Sequence, residues 1–190
     1  MKLVAIAGSP RKKGNSTALM RHAVEGAQER GATAEVFFAR DLKVAGCLAC
    51  ESCKRSADAV CVQKDDMHAL YAAIRDCDAM LLASPVYFYG LTAQIKAIVD
   101  RCYALMPFEG VPEGEQPVPR IAPGKPLYVI TTQADTPVFF GLQVYSTIAY
   151  GMSWLGMKPA GELVATGLQD TGDWQARDDL IAAARALVAV

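Results

Sequence analysis

The sequence carries almost no net charge: 19 Lys and Arg stand against 20 Asp and Glu in 190 residues, a formal balance of −1. Nothing in that balance attracts nucleic acid or an acidic membrane surface, and neither is expected as a partner. Long apolar runs are missing too, so no stretch approaches a membrane span. The apolar residues 3–7 follow a single lysine and are too short for a signal-peptide core, so a cytoplasmic protein is expected. Histidine is scarce. His22 and His68 each fall on an expected helix with no second ligand at metal spacing, which leaves them as surface or packing residues. Two familiar nucleotide-phosphate signatures are absent. No G-x-G-x-x-G occurs, and the one spaced glycine pair, Gly8 and Gly14, has five intervening residues followed by Asn15, where a Walker A loop has four and then lysine.

What is present reads as one globular domain spanning residues 1–190. Hydrophobic residues make up 52% and charged residues 21%, enough apolar material for a full core and no sign of disorder. Residues 3–7 (LVAIA) are short, partly β-branched and bounded by glycine and proline, which predicts a buried parallel strand. Met20, Val24 and Ala27 then recur at helical spacing, with Gly31 where a helix-terminating glycine belongs. Residues 35–39 predict a second strand. A helix with Met67, Leu70, Tyr71 and Ile74 on one face follows the capping pair Asp65 and Asp66. Residues 79–83 predict a third strand. The next helix turns Ile95, Ile98, Val99 and Cys102 inward and Lys96, Asp100 and Arg101 outward. Strands at 127–131 and 158–164, a mostly apolar helix from about 138 to 154, and a C-terminal helix carrying Leu180, Ile181, Ala184, Leu187 and Val188 complete the alternation. Cys77, Cys102, Trp154 and Trp174 read as packing residues. Five strands alternating with helices predict an α/β three-layer sandwich around a parallel sheet, with strand order 2-1-3-4-5.

Two stretches break the pattern. A cysteine-rich loop at about 41–64 has no strong periodicity, and loops of that length in compact domains are usually functional. An excursion at about 105–124 holds five prolines, and its apolar residues Leu105, Met106, Phe108, Val111 and Ile121 suggest packing, with another subunit as one candidate surface.

Residues 8–17, GSPRKKGNST, link the first strand to the first helix. Their backbone N–H groups, the hydroxyls of Ser9, Ser16 and Thr17, and the positive end of a helix dipole suit a phosphate monoester. An ordinary βα turn would share part of this composition. In the expected strand order, ligands sit beyond strands one and three. The second loop there, residues 84–90, carries Tyr87, Phe88 and Tyr89 between Pro85 and Gly90. Those aromatics could merely cap the sheet. Paired with the phosphate loop, they fit a flat ring system bearing a phosphate tail, and the inferred ligand is FMN.

Cys47, Cys50, Cys53 and Cys61 follow the spacing C-x2-C-x2-C-x7-C. Three evenly stepped thiolates on a tight turn suit three corners of an iron–sulfur cubane, with Cys61 returning as the fourth. Zinc accepts four thiolates as well, though usually as two separated pairs, and redox-active free thiols are a third reading.

GSPRKKGNST, the stretch CVQKDDM at 61–67 and SPVYFYGLTAQIKAIVDR at 84–101 resemble the NADPH-dependent FMN reductase group of flavodoxin-like proteins, and within it the iron–sulfur flavoproteins. The resemblance covers most of the first hundred residues. It implies a flavodoxin-like fold and FMN held through its phosphate by Ser9, Arg11, Asn15, Ser16 and Thr17. It implies ring contacts from Pro85, Val86, Tyr87, Phe88, Tyr89 and Gly90, and dimers or tetramers with flavins at subunit contacts. It also implies a [4Fe–4S] cluster on the cysteine motif. The expected function is electron exchange between FMN and that cluster, with a small-molecule or protein donor and acceptor. A cluster-free NAD(P)H-dependent FMN or quinone reductase is the alternative, with NAD(P)H as candidate substrate. A flavodoxin-type shuttle comes third, because a shuttle docking by its field would carry more net charge.

Overall fold

The structure is a computed structural model that describes residues 1–55, 60–106, 111–115 and 117–190. Its elements alternate as β1 (Lys2–Ala7), α1 (Asn15–Glu29), β2 (Thr33–Phe38), α2 (Met67–Asp76), β3 (Ala79–Pro85), α3 (Ala93–Arg101), β4 (Pro126–Thr132), α4 (Phe139–Ser153), β5 (Lys158–Ala165) and α5 (Asp178–Leu187). The strands form one parallel sheet in the order β2-β1-β3-β4-β5, the arrangement expected from the sequence.

The sheet sorts its side chains by parity. Leu3, Ala5 and Ala7 face α1 and α5, together with Leu81 and Ala83. Val4 and Ile6 face the opposite way with Met80 and Leu82, against α2, α3 and α4. Both faces are covered, which is why the strands read as continuous apolar runs rather than alternating ones. On the first face α1 and α5 touch backbone to backbone. A Cβ at Gly26 would stand 2.1 Å from the Arg185 carbonyl oxygen, so no other residue fits that crossing without displacing α5.

Local signals explain most boundaries. α1 ends at Arg30 with Gly31 at φ +95°, the left-handed terminator. The two acidic residues before α2 divide their tasks. Asp65 accepts the Met67 N–H at 3.2 Å, while the Asp66 carboxylate accepts the Lys43 N–H at 2.7 Å. β2 stops one residue early, because Ala39 opens a 3-10 turn running to Asp41.

In the excursion after α3, Leu105, Met106 and Ile121 are buried in this chain's own core, and the Arg120 N–H bonds the Leu105 carbonyl at 2.8 Å. Phe108, one of the apolar residues expected to pack there, lies outside the described residues, as do positions 56–59 of the cysteine loop. Among the described residues no helix is long and apolar enough to cross a membrane.

Candidate functional site

The loop after β1 closes on itself before α1 begins. The Ser9 hydroxyl accepts the Arg11 N–H at 3.1 Å, and the Arg11 carbonyl accepts the Gly14 N–H at 3.0 Å. Arg40 braces the outside of the turn by donating to the Pro10 carbonyl at 2.6 Å. Ser9, Arg11, Asn15 and Ser16 then line a cavity of about 200 Å³ with Pro85, Val86 and Tyr87, at the carboxyl ends of β1, β3 and β4. The Ser16 hydroxyl is buried there with no hydrogen-bond partner among the described residues. The first N–H groups of α1 have no intrahelical acceptor, so the cavity floor offers donors and a helix dipole to an anion. A Cβ at Gly14 would stand 2.6 Å from Ser9 Oγ, which makes this glycine a condition of the cradle's shape. An orphaned hydroxyl, free N–H groups and a space any side chain would fill together fit a phosphate.

Thr17 lies outside the cavity wall and bonds the Arg11 carbonyl at 3.4 Å. The Asn15 amide is engaged elsewhere: it donates to the Asp170 carbonyl at 2.9 Å and accepts the Gly172 N–H at 3.1 Å. Arg11 reaches the same segment through Thr171 Oγ1 at 3.3 Å.

Tyr87 to Gly90 form a minimal hairpin, with Tyr87 and Gly90 exchanging backbone bonds at 3.0 Å. Its two central residues, Phe88 and Tyr89, have φ of +47° and +61°. That is a primed turn made by aromatics where glycine or asparagine would be easier. Phe88 is wholly exposed, and the Tyr89 ring packs tilted against Phe140 of α4, with 4.7 Å between centroids. Phe88, Tyr89 and Gly90 project past the cavity rather than lining it. Replacing Phe88 with glycine is expected to stabilise the flavin-free chain by about 1 kcal/mol, read by urea unfolding, since the turn strain goes and no packing is lost.

Cys47, Cys50, Cys53 and Cys61 line a second cavity of about 130 Å³, together with Arg101 and Tyr103. Ala49 and Glu51, on either side of Cys50, hold φ of +51° and +56°, and the Ala49 N–H points to Cys47 Sγ at 3.4 Å. Among the described residues no three His, Cys, Asp or Glu side chains converge as they would on one metal ion. Backbone and side-chain hydrogen bonds at Ser52 lower the Cys50 thiol below its ordinary value, whereas burial raises that of Cys53.

Residues 1–169 match the family described as NADPH-dependent FMN reductase. The chain belongs to that family. It is 41% identical over 105 residues to an iron-sulfur flavoprotein of Methanosarcina thermophila, covering 55% of this chain and 54% of that one. A second iron-sulfur flavoprotein, from Methanocaldococcus jannaschii, is 37% identical over 101 residues, covering 53% and 51%. The chain thus matches about half the length of these curated relatives. In fold it resembles the NAD(P)H:quinone oxidoreductase of Methanothermobacter marburgensis, at TM-score 0.76 and 18% identity over 98% of this chain and 96% of that one. Membership places the chain among the oxidoreductases, with a flavodoxin-like architecture.

In this FMN reductase family member, one expected surface residue is a core residue. Arg101 was expected to face outward from α3; it is 1% exposed. Its guanidinium forms a two-pronged bond to Asp65 at 2.8 and 3.0 Å and donates to the Ala45 carbonyl at 3.0 Å. The Arg101 carbonyl in turn accepts the Tyr71 hydroxyl at 2.8 Å. The Arg101 guanidinium hydrogen-bonded to Asp65 holds that carboxyl below its ordinary value of 3.8. The resulting stabilisation is complete above pH 3.8 and is lost as pH falls through the lower folded-state value. Urea unfolding of wild type and Asp65→Asn should therefore show a stability gap at pH 6 that closes below pH 3.8.

Trp154 departs from expectation too, being 53% exposed at the end of α4, while Trp174 does pack, with its ring 5.1 Å from that of His22. Neither histidine serves the site; His68 contacts the Gln63 carbonyl at 2.9 Å. Cys77 and Cys102 are buried as expected, and burial pushes Cys102 up to about 12, which keeps it a neutral thiol. Cavity residues that the sequence did not mark are Thr132 at the end of β4, Gln133 and Ala134 just after it, and Leu168, Gln169 and Thr171 after β5. The carboxyl-end rule for parallel sheets, applied from the sequence to strands one and three alone, extends to β4 as the neighbour of β3 in the sheet.

Proposed function

We propose that this chain is a single-domain, cytoplasmic FMN oxidoreductase that exchanges electrons between its flavin and a [4Fe–4S] cluster on Cys47, Cys50, Cys53 and Cys61. The observation that carries this reading is the gathering of Cys47, Cys50, Cys53 and Cys61 around one cavity. Four thiolates around one space suit the four corners of a cubane, and the even C-x2-C-x2-C step differs from the two separated pairs usual for zinc. Six unpaired cysteines are in keeping with a reducing compartment.

FMN, when bound, supplies the conversion between two-electron and one-electron transfer. The chain's part is to hold it. Ser9, Arg11, Ser16 and the N–H groups of Asn15 and Thr17 would hold the phosphate, and Pro85, Val86, Tyr87, Phe88, Tyr89 and Gly90 would hold the ring. The family description supports NAD(P)H as electron donor. The acceptor is a small molecule or another redox protein. The exposed aromatics Tyr89, Phe139, Tyr150 and Trp154 around α4 support a homodimer or homotetramer that covers them.

The test is an anaerobic preparation analysed for flavin, iron and acid-labile sulfide. One FMN and roughly four irons per chain are expected, with a broad visible shoulder beside the flavin bands. Cys50→Ser should lose most of the iron and that shoulder while keeping FMN. A wild-type chain with flavin bands and no iron after anaerobic reconstitution would refute the cluster and leave the NAD(P)H-dependent reductase.

A further inference from the structure

We propose that Arg101 and Asp65 form the clamp that presents the four cysteines, and that the Arg101 guanidinium supplies a fixed positive charge to the group they hold. This rests on the [4Fe–4S] reading above. The cysteine loop leaves and rejoins the fold at two points, and one side chain secures both. Arg101 bonds Ala45, two residues before Cys47, and Asp65, four residues after Cys61. Asp65 closes the ring by accepting the Ala45 N–H at 3.2 Å. The middle of the loop is tied separately, with Arg120 donating to the Cys53 carbonyl at 3.2 Å and the Lys54 ammonium 3.6 Å from the Tyr103 ring centre.

A purely structural ion pair would not need to stand in the cavity wall. Arg101 lines the four-cysteine cavity, and its Nε–H is buried without a partner among the described residues although both Nη nitrogens are hydrogen-bonded. A cubane with four thiolates carries net negative charge that grows on reduction. A buried cation beside it favours the reduced form and raises the potential, and a carboxylate on the same spot opposes this. Asp65 thus sets the position of the charge and offsets part of it. Neither residue is catalytic; both are positioning residues.

Three variants separate the two roles: Arg101→Gln, Arg101→Lys and Asp65→Asn. Each breaks the two-pronged bond, so alkylation of the loop cysteines in the as-purified, FMN-loaded chain should accelerate about tenfold or more in all three. The cluster potential should move in opposite directions. It falls in Arg101→Gln, rises in Asp65→Asn and stays near wild type in Arg101→Lys, which keeps the charge and loses the fork. FMN affinity, read at the other end of α3, is expected to be unchanged and reports that each variant is folded; Arg101→Lys carries the clamp test if Arg101→Gln is not. Alkylation rates equal to wild type overturn the clamp. Potentials that do not move, or move the same way in Arg101→Gln and Asp65→Asn, overturn the charge role. A wild-type chain that takes up no cluster overturns the reading of the cysteines and the charge role with it, while the alkylation rates still decide the clamp.

Discussion

Valine at position 14 is expected to weaken FMN binding by about two orders of magnitude or more, with little change in the stability of the flavin-free chain. Any Cβ at Gly14 stands 2.6 Å from Ser9 Oγ and 3.3 Å from the Arg11 carbonyl oxygen. The Ser9 hydroxyl must then turn away, releasing the Arg11 N–H it now accepts. The added isopropyl group also occupies the space above the first turn of α1. Hydrogen bonds to a charged group contribute about 1.5–3 kcal/mol each, so losing two accounts for the expected fall. Stability should change little because Gly14 sits at φ −66° and ψ 155°, where any residue is comfortable. Flavin fluorescence titration measures the affinity and thermal unfolding measures the rest. Wild-type affinity in Gly14→Val would show that the phosphate lies elsewhere.

Asp65→Ala is the second large effect, expected to destabilise the chain by about 3–5 kcal/mol. The substitution leaves the Arg101 guanidinium, 1% exposed, with only the Ala45 carbonyl as acceptor among the described residues. Burying an uncompensated charge costs more than losing the hydrogen bonds themselves. It follows that the double variant Asp65→Leu with Arg101→Met should recover much of the loss, because an apolar pair of similar volume needs no solvation. Denaturant unfolding at neutral pH measures these two together with the single changes Asp65→Leu and Arg101→Met, which close the cycle. Strict additivity of the two single changes would mean that the pair is not an energetic unit.

The sheet was legible in the sequence because its strands are buried on both faces. LVAIA at 3–7 and AMLLA at 79–83 can be little else. The loop at 8–17 was legible as a strand-to-helix cradle because glycine, serine and threonine bunch between a strand and a helix. Arg101 was not. Helical periodicity grouped it with Lys96 and Asp100, which do form a surface ion pair at 2.6 Å. Its partner lies 36 residues upstream and its burial depends on where an aperiodic loop returns, which no local pattern encodes. The loop after β5 was missed for the same reason: Asn15 meets Asp170 across 155 residues. Trp154 misled because an apolar helix reads as core whether its partner is the same chain or another surface.

α3 begins at one cavity and ends at the other. Thr92, its cap, donates to the Gly8 carbonyl at 2.8 Å beside the cradle, and Arg101, its last residue, holds the cysteine loop. Nine residues of helix measure about 13 Å, so the gauge between the two sites is a count of residues rather than the reach of a loop. Adding one residue to α3 would lengthen that gauge by about 1.5 Å and swing the guanidinium about 100° around the axis, off Asp65 altogether. Between the clamp points, the loop residues other than the four cysteines can drift with little consequence. The length of α3 cannot, and it is the dimension on which both sites are jointly built.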